Sequence, residues 1–543
     1  MKVNVNGSRN LAVTGQVGKS PSVFIWDTSS GEKINRFKLQ KTARAVAACA
    51  ISPDGDYIAT ADKHNDHNVS IYKTSDPSTP VFFDKTGGDE IYDLVFDQRP
   101  GSCCVWSGGQ KHFMHWDVPN LKKKKGIFYG SGFDATSFPC LTADDQGNCY
   151  AGGANALIYI FNGNTPKKTL GFHEKGFVGA INWVAGKLYS GGRDGRVCIC
   201  DTSTYECIKA INFGMLPRAI DAHNGKLVVG LRNGSIVETD LETEEMTTYM
   251  QSHNDGEVWG LALDDAFVYT SGDDNQVKKW DPFERKCVDT AMVNEAVRKA
   301  KKNRASTLGK HPDSQSSRGL AISCNGDLAV CANDGSVTIR KLDDFKTTVI
   351  ELQDSAEWCE VAEYSPDGTY LAVGSHDTNI YIYNATEGYS MVGKCSKHNA
   401  TITCIDWSMD GSVIRSVCNG YELLFFNIPG CGQDPSGASN TTGTDWATGH
   451  CKFGWCVDGI FPSGTDGSHI NGVDLSEDQT TIAVGDDYGL VTLFRNPCRK
   501  GHMPKSLRAH SEHVVRVKFG RGGLNGYIFS VGGYDQTMLQ WKL

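Results

Sequence analysis

The chain has 543 residues, including 60 Gly; aromatics make up 10%, charged residues 22%, and the formal charge is −9. That length exceeds what one hydrophobic core serves, so two domains are expected, and the acidic balance excludes a protein that coats nucleic acid by charge alone. Its 19 Cys, scattered through apolar runs of a large chain, read as reduced core thiols rather than a disulfide framework.

From the N-terminus, Met1-Lys2-Val3-Asn4 opens without an apolar leader, and no later run reaches membrane-spanning length. A cytoplasmic or cytoskeletal chain that makes no membrane contact is the expectation. One pattern then returns about a dozen times at offsets of ~40–45 residues, the spacing of propeller blades. It consists of a small or hydroxyl residue, Gly, an Asp/Asn-rich turn, an alternating strand, and an aromatic or Cys often followed by Asp. Successive copies end at Trp26-Asp27, Tyr72, Trp116-Asp117, Phe161-Asn162, Asp201, Asp240, Asp281, Arg340, Asn384, Asn427, Arg495 and Trp541-Lys542-Leu543.

Upstream of several copies stands a Ser-Pro-Asp-Gly turn, as at Ser52 to Gly55 and Ser365 to Gly368. There Pro presets φ and Gly takes the left-handed position that closes a hairpin. Each copy therefore reads as strands joined by tight turns, and the class is all-β. Lys2 to Val5 reads as an inner strand, which leaves the first ring a blade short. At the other end Trp541 lies on a third strand, whose outer partner is expected from elsewhere in the chain or from another protein.

A second regularity lies inside the stronger copies. His253, Thr270, Asp274 and Trp280 recur in kind as His173, Ser190, Asp194 and Cys200, the pattern of the WD40 tetrad, in which the four side chains are joined within one blade. A His/Ser/Asp set could be read as a hydrolase triad, but a triad is a unique constellation with one activated nucleophile. Recurrence with substitution is what a fold needs, so these residues are assigned a structural role and no catalytic residue is expected.

Other motifs carry less. Gly15 to Ser20 ends like a phosphate loop, yet Val13 stands where the loop needs Gly, and Pro21 to Trp26 continues as a strand. His450, Cys451, Cys456 and His469 could be imagined around zinc, but their intervals are not those of compact zinc sites, so buried thiols are expected and no metal. Two basic clusters stand out of the acidic chain: Lys122, Lys123, Lys124 and Lys125; and Arg298, Lys299, Lys301, Lys302, Arg304 and Lys310. Each reads as an exposed loop in the first instance; Ala291 to Lys302 also holds good helix formers.

Several stretches resemble the echinoderm microtubule-associated protein-like family beyond a generic WD40 match. They are TGQVG from Thr14, HNDGEVWGLA from His253, YSPDGTYLAVGSHDTNIYIY from Tyr364, IAVGDDYGLVTLFRNPC from Ile482 and the closing GGYDQTMLQWKL. The most discriminating is Asp445 to Asn471, which has no counterpart in ordinary WD repeats. The resemblance runs from about Thr14 to Leu543 and implies two fused WD40 β-propellers, about six to seven four-stranded blades each, the second irregular. The expected division is 1–249 and 250–543, with insertions at about 288–317 and 428–471. Missing from the family pattern are an N-terminal basic coiled coil and a hydrophobic junction motif.

The resemblance further implies a non-enzymatic scaffold that binds tubulin or microtubules and other microtubule-associated proteins, in the cytoplasm and cytoskeleton. The missing assembly region favours the ciliary axoneme, where lattice context supplies avidity. No cofactor, nucleic acid or small-molecule substrate is expected. Tubulin is acidic, so the two basic clusters are the candidate contacts. A WD40 adaptor for a non-tubulin complex is the second reading. A propeller hydrolase is the third, and it would require a unique constellation in a central channel.

Overall fold

The structure is a computed structural model that describes residues 2–18, 20–39, 42–128, 132–254, 256–293, 316–461 and 467–543. Two compact units divide the chain, Met1–Tyr249 and Met250–Leu543. Among the described residues, eleven antiparallel sheets have four strands and one has three, each sheet built from consecutive strands. We number these blades 1 to 12 in chain order.

The turn chemistry explains the strand breaks. Gly55 and Gly368 close the Ser-Pro-Asp-Gly turns at φ of 76° and 72°, and each donates its N–H to the Ser carbonyl at 2.9 Å. The Ser hydroxyls then accept the N–H of Tyr57 and Tyr370, both at 2.9 Å, starting the return strand. Between neighbouring sheets lie layers of buried aliphatic and aromatic side chains. One such layer holds Ile71, Phe82, Leu94, Phe96, Val105 and Trp116. Truncating a buried Ile or Leu in such a layer to Ala costs about 2–5 kcal/mol.

In the first unit the inner strands are Lys2–Asn6, Val46–Ile51, Ile91–Phe96, Cys140–Ala143, Val178–Val184 and Pro217–His223. They pack side by side in that order, but Pro217–His223 and Lys2–Asn6 do not pack against each other in this way. Two glycines register the difference. A Cβ on Gly191 of blade 5 would meet the Cβ of Pro217 in blade 6 at 2.5 Å, whereas a Cβ on Gly230, the matching position of blade 6, meets only Ala219 of its own sheet, at 3.5 Å. Val3 and Val5, on the inner strand of blade 1, are correspondingly 64% and 58% exposed.

The inner strands of the second unit are Val258–Leu263, Ser317–Ile322, Cys359–Tyr364, Ile402–Trp407, Ile470–Leu475 and Val514–Phe519. The last packs against the first and closes the ring. Between blades 10 and 11 runs the irregular segment. Trp446 bridges Ser408, Ala447 donates to the Trp407 carbonyl at 2.9 Å, and Cys498 of blade 11 donates to the Cys456 carbonyl at 2.7 Å. Val457 and Ile460 join the core of blade 11 with Ile470, Val484 and Phe494. The segment thus fills a seventh sector without forming a sheet.

The insertions expected from the sequence have different limits. Residues 288–292 belong to the strand Lys286–Met292, the outer strand of blade 7, so Ala291 and Met292 extend a sheet. After residue 428 the chain still supplies Gly432–Gln433 as the short outer strand of blade 10. Blade 12 has three strands, Val514–Phe519, Tyr527–Gly532 and Met538–Lys542, and no fourth among the described residues.

Candidate functional site

The eight residues singled out by repetition form two blade-internal clusters. His253 Nδ1 lies 3.0 Å from both Asp274 oxygens and its Nε2 2.8 Å from Thr270 Oγ1, which accepts from Trp280 Nε1 at 2.7 Å. His173 Nδ1 lies 3.1 Å from Asp194 and its Nε2 3.0 Å from Ser190 Oγ. Cys200, at the Trp position, is buried and turns its thiol to the Asp201 carbonyl at 3.4 Å, so this cluster has three joined members. Burial keeps His173 below the ordinary imidazole pKa even against the pull of Asp194. These imidazoles tie the loop before each blade to its second and third strands.

Two further clusters were not singled out from the sequence. His510, Ser530, Asp535 and Trp541 make a second complete tetrad, in blade 12, with contacts of 2.8–3.0 Å. In blade 3 the histidine comes from the third strand instead: His112 Nε2 is 2.8 Å from Ser107 Oγ, which accepts from Trp116 Nε1 at 2.8 Å. Burial lowers His112 to about 4, so it is neutral.

A charged layer that does not follow the blade repeat lies on the inner strands of the second unit. Each inner strand there carries a bulge between its first and third residues, which aligns Ala262, Ala321, Glu363, Asp406, Asp474 and Lys518 at one level. His450 of the irregular segment enters the same level. Its Nδ1 is 3.1 Å from Glu363 and its Nε2 3.2 Å from Asp474. Lys518 Nζ lies 3.5 Å from Glu363, and Arg415 Nε donates to Asp406 at 2.9 Å.

Asp406 also accepts the backbone N–H of His450 at 2.7 Å and of Cys451 at 3.1 Å. Asp474 accepts that of Phe519 at 2.7 Å, the same service one blade on. Three carboxylates thus face three cations. Burial opposes the charge on His450, but Glu363 and Asp474 hold its pKa up at about 10. Burial likewise opposes ionisation of Glu363, yet Lys518 and His450 hold it down at about 2.

A cavity of ≈620 Å³ opens below this layer. Chemically the layer offers little to a substrate, because its imidazole is a clamped imidazolium and each carboxylate is already paired. Burial pushes the Cys451 thiol far up, and its hydrogen faces the Arg415 carbonyl at 3.7 Å. At another level the Arg318 guanidinium lies between two indoles, 3.8 Å from the Trp259 ring and 4.6 Å from Trp358, a cation–π sandwich.

The zinc arrangement considered from sequence does not assemble. His450 belongs to the carboxylate clamp, Cys451 to Asp406 and Arg415, and His469 stacks on Tyr488 at 5.8 Å. Lys122, Lys123, Lys124 and Lys125 are not a loop but the outer strand Lys122–Lys125 of blade 3, all four exposed. Lys123 is tied to Asp84 at 2.9 Å and to the Lys85 carbonyl at 2.7 Å. Lysines on an edge strand discourage further pairing, which is why the chain can place four of them there. Arg298, Lys299, Lys301, Lys302, Arg304 and Lys310 lie outside the described residues. At the tetrad position of blade 8 stands a buried Arg340, which donates to the carbonyls of Met292, Val293 and Phe345 at 2.6–3.0 Å.

Repeated four-stranded blades with internal His–Ser/Thr–Asp–Trp clusters define the class, a WD40-repeat β-propeller scaffold. A family model described as "WD domain, G-beta repeat" matches residues 31–73, and one described as "Echinoderm microtubule-associated protein second beta-propeller" matches residues 258–543. The chain is 46% identical over 549 residues to the "Ciliary WD repeat-containing protein ctxp80" of Euplotoides octocarinatus, covering 99% of this chain and 75% of that protein. It is 31% identical to the "77 kDa echinoderm microtubule-associated protein" of Strongylocentrotus purpuratus, covering 98% and 76%. It is 30% identical to human "Echinoderm microtubule-associated protein-like 2", covering 98% and 81%. The chain belongs to the echinoderm microtubule-associated protein-like family.

Proposed function

We propose that this chain is a non-enzymatic scaffold that binds microtubules and serves as a structural component of the ciliary axoneme. The observation that carries this reading is the 46% identity to a ciliary WD repeat protein, sustained over 99% of the chain and so through both units. Relatives named as microtubule-associated, at 30–31% identity over 98% of the chain, point to the same lattice.

The chemistry of the channel favours a scaffold over a hydrolase. Its one non-repeated cluster is charge-balanced and holds a segment in place, whereas a hydrolase needs a free base beside an activated nucleophile. Propeller loops, by contrast, offer many shallow contacts on a rigid frame. Lys122, Lys124 and Lys125 give the acidic chain a local positive edge toward an acidic lattice.

Co-pelleting of the full chain with taxol-stabilised microtubules tests the reading. The expected result is a saturable pelleted fraction that falls as salt is raised, and falls further when Lys122, Lys124 and Lys125 are changed to Glu. A chain that stays in the supernatant at all lattice concentrations would overturn it.

A further inference from the structure

Blade 10 departs from the tetrad at several positions together, and the departures converge on one point. Ser416 lies opposite Ile405 in the ladder, as Ser190 lies opposite Ile181, Thr270 opposite Leu261 and Ser530 opposite Val517. Counting from that shared residue, Cys418 stands where the three blades with a His–Ser/Thr–Asp cluster have Gly192, Gly272 and Gly532. A Cβ on Gly192 would lie 2.3 Å from His173 Nδ1, and one on Gly532 would lie 2.6 Å from His510 Nδ1 and 2.1 Å from Asp535 Oδ1. In those two blades a side chain at this position enters the contact between imidazole and carboxylate, whereas at Gly272 it would meet the Glu257 carbonyl at 2.5 Å.

The other changes accommodate it. Gly420 replaces the tetrad Asp, and the carboxylate comes instead from Glu422, two residues later. Phe426 replaces the Trp. Without an indole N–H to accept, Ser416 Oγ, 2.7 Å from His398 Nε2, can accept from it, in the tautomer that turns the Nδ1 lone pair to Cys418 and Glu422.

His398 Nδ1 is buried and makes no hydrogen bond among the described residues, although Glu422 Oε2 is 3.4 Å away. Cys418 Sγ lies 3.3 Å from the same oxygen, and the three donor atoms lie within 4.8 Å of one another. No other group of three His, Cys, Asp or Glu among the described residues comes this close. Ligands held at 2.0–2.3 Å around a tetrahedral zinc are separated by roughly 3.3–3.6 Å, and Glu422 stands at 3.4 Å from His398 Nδ1 and 3.3 Å from Cys418 Sγ.

The outer contacts suit the same purpose. Asn399 donates from its backbone N at 3.0 Å and from Nδ2 at 2.6 Å to the two Glu422 oxygens, fixing the carboxylate as Ser416 fixes the ring. His398 is closed off, while Glu422 is 29% exposed and opens the fourth position to solvent.

We propose that His398 Nδ1, Cys418 Sγ and Glu422 form a binding site for a divalent cation of the zinc class, with solvent as the fourth ligand. On binding, the Cys418 thiol gives its proton to solvent and ligates as thiolate. The site replaces one tetrad of the fold with a metal clip, contrary to the sequence expectation that no metal is bound.

Metal analysis of the full chain, stripped with chelator, re-equilibrated with zinc and dialysed, tests the assignment. The wild type is expected to retain about one more zinc per chain than a Cys418→Gly, Gly420→Asp, Glu422→Gln variant, which removes two ligands and restores the Gly and Asp of the tetrad pattern while Phe426 stays. Cobalt in place of zinc should give a thiolate-to-metal charge-transfer band that Cys418→Ser loses; that single variant serves if the triple one fails to fold. Equal zinc in wild type and triple variant, or a cobalt spectrum that Cys418→Ser leaves unchanged, would overturn the proposal.

Discussion

The blade tetrads and the channel cluster of the second unit are built from the same residue types and do opposite things with them. In a tetrad one imidazole meets one carboxylate inside a sheet, and in blade 5 burial wins, so His173 stays below its ordinary pKa. In the channel one imidazole lies between Glu363 and Asp474, and the paired carboxylates win against the same burial, leaving His450 charged up to about pH 10. The count of carboxylates, rather than the depth of burial, sets the charge. A tetrad staples strands that are already sequence neighbours. The channel cluster staples a segment that has no sheet of its own.

That contrast can be broken by removing His450. His450→Ala leaves Glu363 and Asp474 facing each other without their shared cation, at an expected cost of about 3–5 kcal/mol. Urea unfolding followed by probes in each unit should show the second unit weakened and the first unmoved; equal midpoints for variant and wild type would undo the comparison.

Acid and base should act on the cluster from opposite sides. An imidazole whose folded pKa is about 10, against ~6.5 when free, contributes fully below ~6.5 and loses its contribution as pH climbs through 10. Glu363, near 2 when folded and ~4.3 when free, contributes above ~4.3 and loses it as pH falls toward 2. The melting temperature of the second unit should therefore decline from pH 6.5 to 9.5, and His450→Gln should flatten that decline. An unchanged slope in His450→Gln would assign the pH dependence elsewhere.

Smaller effects sharpen the tetrad side. Asp274→Ala strands a buried imidazole nitrogen and should cost about 1–3 kcal/mol, with Trp280→Phe costing about 1 kcal/mol through the lost bond to Thr270. Gly191→Ala drives a Cβ into Pro217 and should cost about 1–3 kcal/mol. Gly230→Ala, at the matching position with no neighbouring sheet in reach, should fall within about 0.5 kcal/mol of wild type. Equal losses at the two glycines would mean that blade 6 is covered as blade 5 is.

Much of this was legible in the sequence, because the strand breaks are written in Ser-Pro-Asp-Gly and Asp-Gly turns and the tetrads in recurrence. His173 and Asp194 are spaced like His253 and Asp274, 21 residues apart. His510 and Asp535 stand 25 apart, since the short 3-10 turn Gly522–Leu524 lengthens the first hairpin and the turn before Asp535 is one residue longer, and this tetrad is hidden by that difference. The Lys122–Lys125 strand was misread because four charges look like a loop until the ladder to Met114–Asp117 is seen.

The channel cluster was illegible for a different reason. Glu363, Asp406, Asp474 and Lys518 come from four blades, and His450 from a segment without periodicity. A faint signal existed, since Glu363, Asp406, Asp474 and Lys518 are each the fifth residue of an inner strand. Reading that position down all six strands of the unit isolates the charged layer.

Arg340 has a consequence for how freely this protein can change. By binding the Met292 and Val293 carbonyls it fixes where the chain leaves blade 7, while Asn333 N–H holds the Ser316 carbonyl at 2.9 Å where it returns in blade 8. Both gateposts are backbone carbonyls, held by donors of blade 8. Arg340 therefore couples two neighbouring sheets, and a change at the edge of blade 7 is felt in blade 8.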